Sequence, residues 1–383
     1  MSDFYCPCIN FNYRIAGSQL TGTQISPCCV YRPQQVYRTI DQYNNSNEIK
    51  ELRQMQSWPL GCQVCQQQEK NGQKSYRTMA IDTWQGDSNK KMRYEILPSN
   101  VCNLKCIMCG PDASSALAQE NYELGLVDKI WTQEYEETEK IVEWLQNENN
   151  FHSISLIGGE FFLAKHADKF LDFVINKQIP LRISTNATVI TERHLKKLKL
   201  IQNLTVQISV DGYQDSYEFM RYPAKWTDFA KNVNVLTDQL ANADFNFNFT
   251  FQPLNAQYLV PLLIYTNSLK IPTRVSNLTY PFWLNWQILN NEEKGILVEH
   301  LHQQSKSALI ATNQKQMLAS LCQTIASNVY HQPSRNFFFK RFCAIMAHRS
   351  IDLARQKQHL GLLSSLLDAN FVGASKLELG FAV

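Results

Sequence analysis

The sequence predicts an α/β chain: a partial (β/α)6 TIM-like barrel, preceded by a small N-terminal cysteine-rich cluster domain and followed by a helical region. Two patterns predict the barrel and a third sets its limits. Alternating apolar segments at 92–97, 153–158, 181–186, 204–211, 245–252 and 274–280 read as strands. Helical patterns at 165–176, 192–201 and 226–240 separate several of them, and strand-helix alternation implies a parallel sheet; six units suggest a partial barrel. Six cysteines crowd the stretch ahead of the first strand and helical periodicity dominates after the last, giving expected units of 1–88, 89–285 and 286–383.

Each element has a local reason. Met-Arg-Tyr-Glu-Ile-Leu at 92–97 alternates, Pro98 to Asn100 breaks the strand, and 112–120 opens a helix. The intervening loop therefore joins a strand to a helix. In barrels of this kind the chemistry sits on loops after the strand C-termini. Gly158-Gly159-Glu160, Ser184-Thr185-Asn186-Ala187, Ser209-Val210-Asp211-Gly212 and Arg221 follow successive strands in this way. The segments 291–304, 314–330 and 337–366 predict a helical cap, in which Cys322 and Cys343 lie on apolar faces and read as small buried hydrophobes. No motif is legible in 369–383.

Composition narrows the class. The 383 residues leave room for two or three domains, and 44% hydrophobic residues suffice for real cores. No run of 18 apolar residues occurs, and the start Met-Ser-Asp-Phe-Tyr-Cys lacks a basic region followed by an apolar one, so no membrane span or signal peptide is expected. Eleven cysteines, an odd number grouped in short motifs, suit thiolate ligands in a reducing compartment better than a disulfide framework; a cytoplasmic protein is expected. A net charge of +3 without an arginine stripe argues for no nucleic acid.

The most informative motif is Val-Cys-Asn-Leu-Lys-Cys-Ile-Met-Cys-Gly-Pro, which offers Cys102, Cys106 and Cys109 on one loop. Three thiolates hold three corners of a 4Fe-4S cube and leave the fourth iron open, whereas structural zinc normally takes a fourth protein ligand. This C-x3-C-x2-C spacing resembles the signature of the radical SAM enzymes, in which the open iron is chelated by the amino and carboxylate groups of S-adenosylmethionine (SAM). Gly158, Gly159 and Glu160 are similar to the family's Gly-Gly-Glu-Pro loop that receives the SAM amino group, with Phe161 in place of proline. Ser184 and Asn186 lie in a segment like the family's Ser-Thr-Asn-Gly, with Ala187 replacing glycine. By the same resemblance Ser209 and Asp211 meet the ribose hydroxyls and Arg221 the SAM carboxylate. Phe161, Tyr213 and Trp283 are candidates to wall the cavity, or plain core.

The N-terminal segment presents Cys6 and Cys8, Cys28 and Cys29, and the C-x2-C pair Cys62 and Cys65. Thiols from three places in sequence suggest a metal centre. The arrangement looks like a twitch domain, the short relative of the SPASM domain, placed before the barrel. The resemblance implies an auxiliary 4Fe-4S cluster on Cys6, Cys28, Cys62 and Cys65, with Cys8 and Cys29 spare; the tryptophan of the family pattern after Cys-Pro is missing. Zinc is the structural alternative. The likeness extends to Gly110–Ser115 and to Gln252-Pro-Leu-Asn255, and so over residues 5 to 285.

The activity implied is reductive cleavage of SAM to a 5'-deoxyadenosyl radical that abstracts hydrogen from a substrate, with a flavodoxin or ferredoxin as electron donor. By analogy with relatives carrying a second cysteine-rich domain, the substrate is a peptide or protein that is crosslinked, epimerised or oxidised. A small molecule or carbohydrate, and a non-catalytic iron-sulfur or zinc protein, are the alternatives.

Overall fold

The computed structural model describes residues 5–18, 22–31, 33–70, 74–84, 91–130, 142–143, 145–146, 148–165, 167–278 and 280–367. Eight strands form one sheet: β1 (Asn12–Ser18), β2 (Gly22–Ser26), β3 (Met92–Ile96), β4 (Phe151–Leu156), β5 (Leu181–Thr185), β6 (Leu204–Ser209), β7 (Asp244–Phe251) and β8 (Thr273–Asn277). Their order is β2-β1-β3-β4-β5-β6-β7-β8. Only the β1–β2 pair is antiparallel. The six expected strands are thus β3 to β8, each within a few residues of its predicted ends.

Between β3 and β8 the spatial order repeats the chain order, so every connection steps one strand in the same direction. Right-handed crossovers of that kind carry their helices to one face of the sheet. Ile154, Leu156, Ile183, Val206, Ile208 and Phe247 are fully buried on the apolar pleat, and helix Ala167–Lys177 reaches it through Phe173, whose ring meets Phe151 at 5.9 Å. The alternate residues are polar. Arg14, Glu95, Ser155, Arg182 and Thr205 pair in one register row across five strands, and paired residues of a parallel sheet share a face.

The cysteine-rich segment differs from the expectation of a separate unit. Its strands β1 and β2 join the sheet edge, and its helices Ile40–Asn45, Asn47–Gln54, Gln63–Lys70 and Tyr76–Trp84 surround them. Tyr13 of β1 packs at a tilt against Tyr94 of β3 at 5.5 Å and meets Tyr43 at 5.7 Å, tying this layer to the apolar side.

The expected helical cap contains helices Asn291–Ser305, Thr312–Ser327, Gln332–His348 and Leu353–Leu360. The stretch expected as one helix at 337–366 breaks after His348, where Ser350 takes a left-handed φ of 55°. The cap docks on loops after β6 and β7: Gln257 donates to Leu360 O at 2.6 Å, Tyr258 to His359 O at 2.6 Å, and Phe219 stacks on His359 at 4.4 Å. No helix among the described residues is long and apolar enough to cross a membrane. The tail 369–383 and residues 1–4 lie outside the described residues.

Candidate active site

The loop after β3 runs through Cys102, Cys106 and Cys109 into helix Ser115–Glu123, whose N-cap Ser114 accepts from Leu117 N at 3.1 Å and donates to Leu104 O at 2.6 Å. One hydroxyl thus fixes both the helix start and the middle of the loop. The loop is also paired with the segment after β6: Lys105 N donates to Tyr222 O at 2.6 Å and Ile107 N to Met220 O at 3.0 Å. Three N–H groups point at its sulfurs. Leu104 N and Asn186 Nδ2 approach Cys102 Sγ at 3.5 and 3.8 Å, and Arg221 Nη1 approaches Cys106 Sγ at 3.8 Å. Such donors stabilise sulfur as thiolate, the form that binds iron. A hydrogen bond with Cys109 holds the Cys106 thiol below its ordinary value and pushes Cys109 well above it. Burial pushes Cys102 up to about 12.

The loop after β4 presses against this one. Gly158 and Gly159 have φ of +81° and +51°, and a Cβ on Gly159 would stand 2.6 Å from Val101 O and 2.7 Å from Ser99 O. Only glycine allows that approach. Glu160 follows, buried, with Asn186 N donating to Oε2 at 2.6 Å, and Thr185 Oγ1 and Phe162 N donating to Oε1 at 2.7 and 3.2 Å. Burial outweighs these donors and pushes its carboxyl up to about 7. Glu160, Asn186 and Cys102 are therefore brought together from three loops. Ser184 instead faces along the sheet, donating to Gln207 at 3.2 Å.

After β6, Asp211 and Arg221 form a buried pair. Arg221 Nε and Nη2 reach Asp211 Oδ2 at 2.8 and 2.7 Å, while Asp211 Oδ1 accepts from Thr250 N at 2.7 Å. Burial opposes the guanidinium charge, but the Asp211 carboxylate more than restores it, and the Arg221 pKa is raised. Asn255 Nδ2 holds the same loop through Asp211 O at 3.2 Å and Thr250 O at 2.8 Å. Ser209 is half-buried at the end of β6.

Other residues of the site are not legible in any motif. Arg349, from the helical cap, grips Glu120 at 2.9 and 2.8 Å and donates to Lys105 O at 2.7 Å, inside the cysteine loop. Gln252, fully buried after β7, leaves both side-chain amide atoms without a partner among the described residues, and so does the buried Tyr217 hydroxyl. Of the expected cavity aromatics, Phe161 and Trp283 are core: Phe161 packs on Phe162 at 5.4 Å, and Trp283 on Phe338 at 6.2 Å. Tyr213 packs on Trp226 at 5.1 Å and Tyr265 at 5.7 Å.

The N-terminal thiols also converge. Gly61 lies so close to Tyr31 that a Cβ would stand 2.5 Å from its ring, which presses the Cys62 turn against the segment after Cys28. Tyr31 N donates to Cys28 Sγ at 3.3 Å. A hydrogen bond with Cys8 lowers the Cys6 thiol and raises Cys8, and burial pushes Cys62 up to about 12, with the Cys6 and Cys65 charges adding to it. All eleven cysteines are free thiols. Among the described residues no three His, Cys, Asp or Glu side chains are assembled to hold a single metal ion.

The donor sets fit the groups expected: three cysteine sulfurs with N–H donors for a cluster, and an acidic, glycine-lined loop beside them with orphaned amide atoms nearby for SAM. Residues 96–250 match the Radical SAM superfamily. They form a radical SAM domain. Cys102, Cys106, Cys109, Glu160, Asp211 and Arg221 all lie inside it, and the N-terminal cysteines lie ahead of it. The chain is 26% identical over 140 residues to the antilisterial bacteriocin subtilosin biosynthesis protein AlbA of Bacillus subtilis (strain 168), covering 36% of this chain and 28% of that protein. Two solved structures are similar to it. Streptococcus suis SuiB bound to S-adenosylmethionine has a TM-score of 0.38 and 16% identity over 64% of this chain and 49% of that one. Native anSMEcpe with bound AdoMet and Kp18Cys peptide has a TM-score of 0.42 and 19% identity over 56% of this chain and 59% of that one. The chain thus spans less than two thirds of the length of each of these relatives.

Proposed function

We propose that this chain is a radical SAM enzyme acting on a peptide or protein, with residues 89–285 as its partial barrel, 1–88 as a twitch-like cluster unit and 286–383 as a helical cap. The observation that carries the reading is the cysteine loop, whose sulfurs receive N–H donors from the loop after β5 and from Arg221. Cys102, Cys106 and Cys109 would hold a 4Fe-4S cluster, and Cys6, Cys28, Cys62 and Cys65 an auxiliary one. Bound there, the cluster and SAM supply a carbon-centred radical that takes hydrogen from the substrate.

The chain's own residues orient and shield. Gly158 and Gly159 would let the backbone approach SAM, and the Glu160 carboxylate would accept from its amino group. Arg221 keeps N–H groups on both terminal nitrogens free of Asp211 and Cys106, enough for a carboxylate. Asn186, Ser209 and Asp211 would line the remaining contacts, while Ser184 bonds along the sheet to Gln207. The match to a bacteriocin biosynthesis protein supports a peptide substrate. A flavodoxin or ferredoxin in the cytoplasm would deliver the electron.

Anaerobic reconstitution, iron counting and a dithionite-driven assay for 5'-deoxyadenosine test this. About eight irons are expected for two cubane clusters, with 5'-deoxyadenosine formed. Iron without SAM cleavage would overturn the reading. Replacing Cys102, Cys106 and Cys109 together by alanine should abolish cleavage and leave about four irons on the N-terminal thiols; loss of all iron would contradict two separate centres.

A further inference from the structure

One arginine ties together the segments that carry Cys6, Cys62 and Cys65. Arg77 Nη1 donates to Tyr5 O at 2.8 Å, immediately before Cys6. Its Nε donates to Glu69 Oε1 at 3.0 Å and its Nη2 to Glu69 Oε2. Glu69 stands one helical turn after Cys65 on helix Gln63–Lys70, so the two share a face. The guanidinium also lies 4.9 Å over the Trp58 ring, and the carbonyl of the next residue, Pro59, accepts from Cys62 N at 3.0 Å.

These contacts are largely shielded from water, the Arg77 and Glu69 side chains being 18% and 19% exposed. Ser75, fully buried, donates to the same Glu69 Oε1 and accepts from Thr78 N at 3.0 Å, which fixes the start of the helix that presents Arg77. The Cys28 segment has its own tie: Tyr31 N donates to Cys28 Sγ, and the Tyr31 ring abuts Gly61 beside Cys62. Tyr31 OH in turn donates to Glu48 at 2.9 Å. The hydrogen bond to Glu69 raises the Arg77 pKa, and the Glu69, Cys6 and Cys65 charges add to it, so the guanidinium stays charged. Burial raises the Cys65 thiol, while the Arg77 and Tyr76 N–H groups and the Ser75 hydroxyl pull it down.

We propose that Arg77 is the positioning residue of the N-terminal centre: it holds the Cys6 arm against the Cys62–Cys65 turn, and it neutralises a carboxylate that would otherwise stand bare one turn from Cys65. The proposal rests on the reading of residues 1–88 as a cluster unit and adds the side chain that sets its geometry and its field. A guanidinium serves Tyr5 O and both Glu69 oxygens at once because its donors form a planar fork, which a lysine ammonium does not reproduce. A cluster on four thiolates is negatively charged and becomes more so on reduction, so a bare carboxylate beside it disfavours the reduced form.

The full chain with Cys102, Cys106 and Cys109 replaced by alanine isolates this centre, so that its iron is counted alone after anaerobic reconstitution with iron and sulfide. Two quantities are then read: the rate at which a chelator removes the iron, and the midpoint potential from a redox titration followed by electron paramagnetic resonance. In this background Arg77→Gln should release iron about tenfold faster, the worth of one charge-assisted bond. It should also disfavour reduction about tenfold, a fall of about 59 mV for one electron. Arg77→Lys still pairs with Glu69 and should keep the parent potential while releasing iron faster. Lys74→Gln, at a nearby ion pair whose lysine is 75% exposed, should change neither quantity. An unchanged release rate and potential in Arg77→Gln overturn the proposal, and so does faster release at an unchanged potential, the mark of a general loosening. If Arg77→Gln takes up no iron, faster release from Arg77→Lys supports the role and parent-like release overturns it. A parent that holds no iron sinks the cluster reading and this role with it, whereas iron held indifferently to Arg77 sinks this role alone.

Discussion

Glu160 is the residue whose charge state has the clearest consequence. Burial raises its pKa from 4.5 to about 7, while Arg221 and the donors on Thr185, Asn186 and Phe162 pull the other way. The folded chain therefore holds a proton that the unfolded chain releases, and this contribution to stability is present below about pH 4.5 and lost as pH rises through about 7. Its size is about 3 kcal/mol. In the cofactor-free protein, the fall in unfolding free energy between pH 5 and pH 8 should shrink by up to that amount in Glu160→Gln, measured by denaturant titration. For SAM the sign reverses, because an ionised carboxylate accepts from the SAM amino group better than the neutral acid does: wild-type affinity should rise from pH 6 to pH 8 and the Gln variant should bind weakly at both. A pH-independent wild type would remove Glu160 from the SAM site. The glycine-glycine-glutamate motif was legible in the sequence because a glycine pair needing positive φ is a local property. The partners of Glu160 were not, since Thr185 and Asn186 lie one strand away. Ala187, where the family pattern has glycine, does take a left-handed φ of 55°, so the turn keeps its shape despite the substitution.

Among elements, the cysteine loop and the helical cap are joined by one buried ion pair, Glu120 with Arg349, each side chain at most 1% exposed. Removing one partner of such a pair leaves a buried charge and costs about 3–5 kcal/mol. Lys105 Nζ, 3.7 Å from Glu120, remains as a partial substitute, so Arg349→Met should fall near the lower end. The double variant Arg349→Met with Glu120→Leu should recover most of the loss, as chemical denaturation would reveal; a double variant as unstable as the single would mean that the Lys105 carbonyl contact, not the ion pair, dominates. The strands β3 to β8 were legible because each alternates over several residues. β1 and β2 were not: Asn-Tyr-Arg-Ile-Ala-Gly-Ser and Gly-Thr-Gln-Ile-Ser are short, and the cysteines around them suggested a cluster unit. The helix break at Arg349–Ser350 has no proline or glycine to announce it.

At the scale of the whole molecule, β1 covers what would otherwise be the free edge of β3. A chain beginning at residue 91 would expose that edge, and an open strand edge invites pairing with other chains. It would also lose the Tyr13 contact with Tyr94. Such a truncation should elute as aggregate in size-exclusion chromatography, while the full chain does not; a soluble, folded truncation would mean that strands β3 to β8 fold without the N-terminal layer. By itself the sequence determined the strand and helix periods, the three-cysteine loop and the glycines that must take positive φ, because each is set by residues a few positions apart. The tertiary structure alone decided that the cysteine-rich segment extends the sheet and that Arg349 reaches a loop more than two hundred positions away. Those outcomes depend on which side chains meet across the sheet. A lone arginine reads the same whether its partner is water or a carboxylate of the chain.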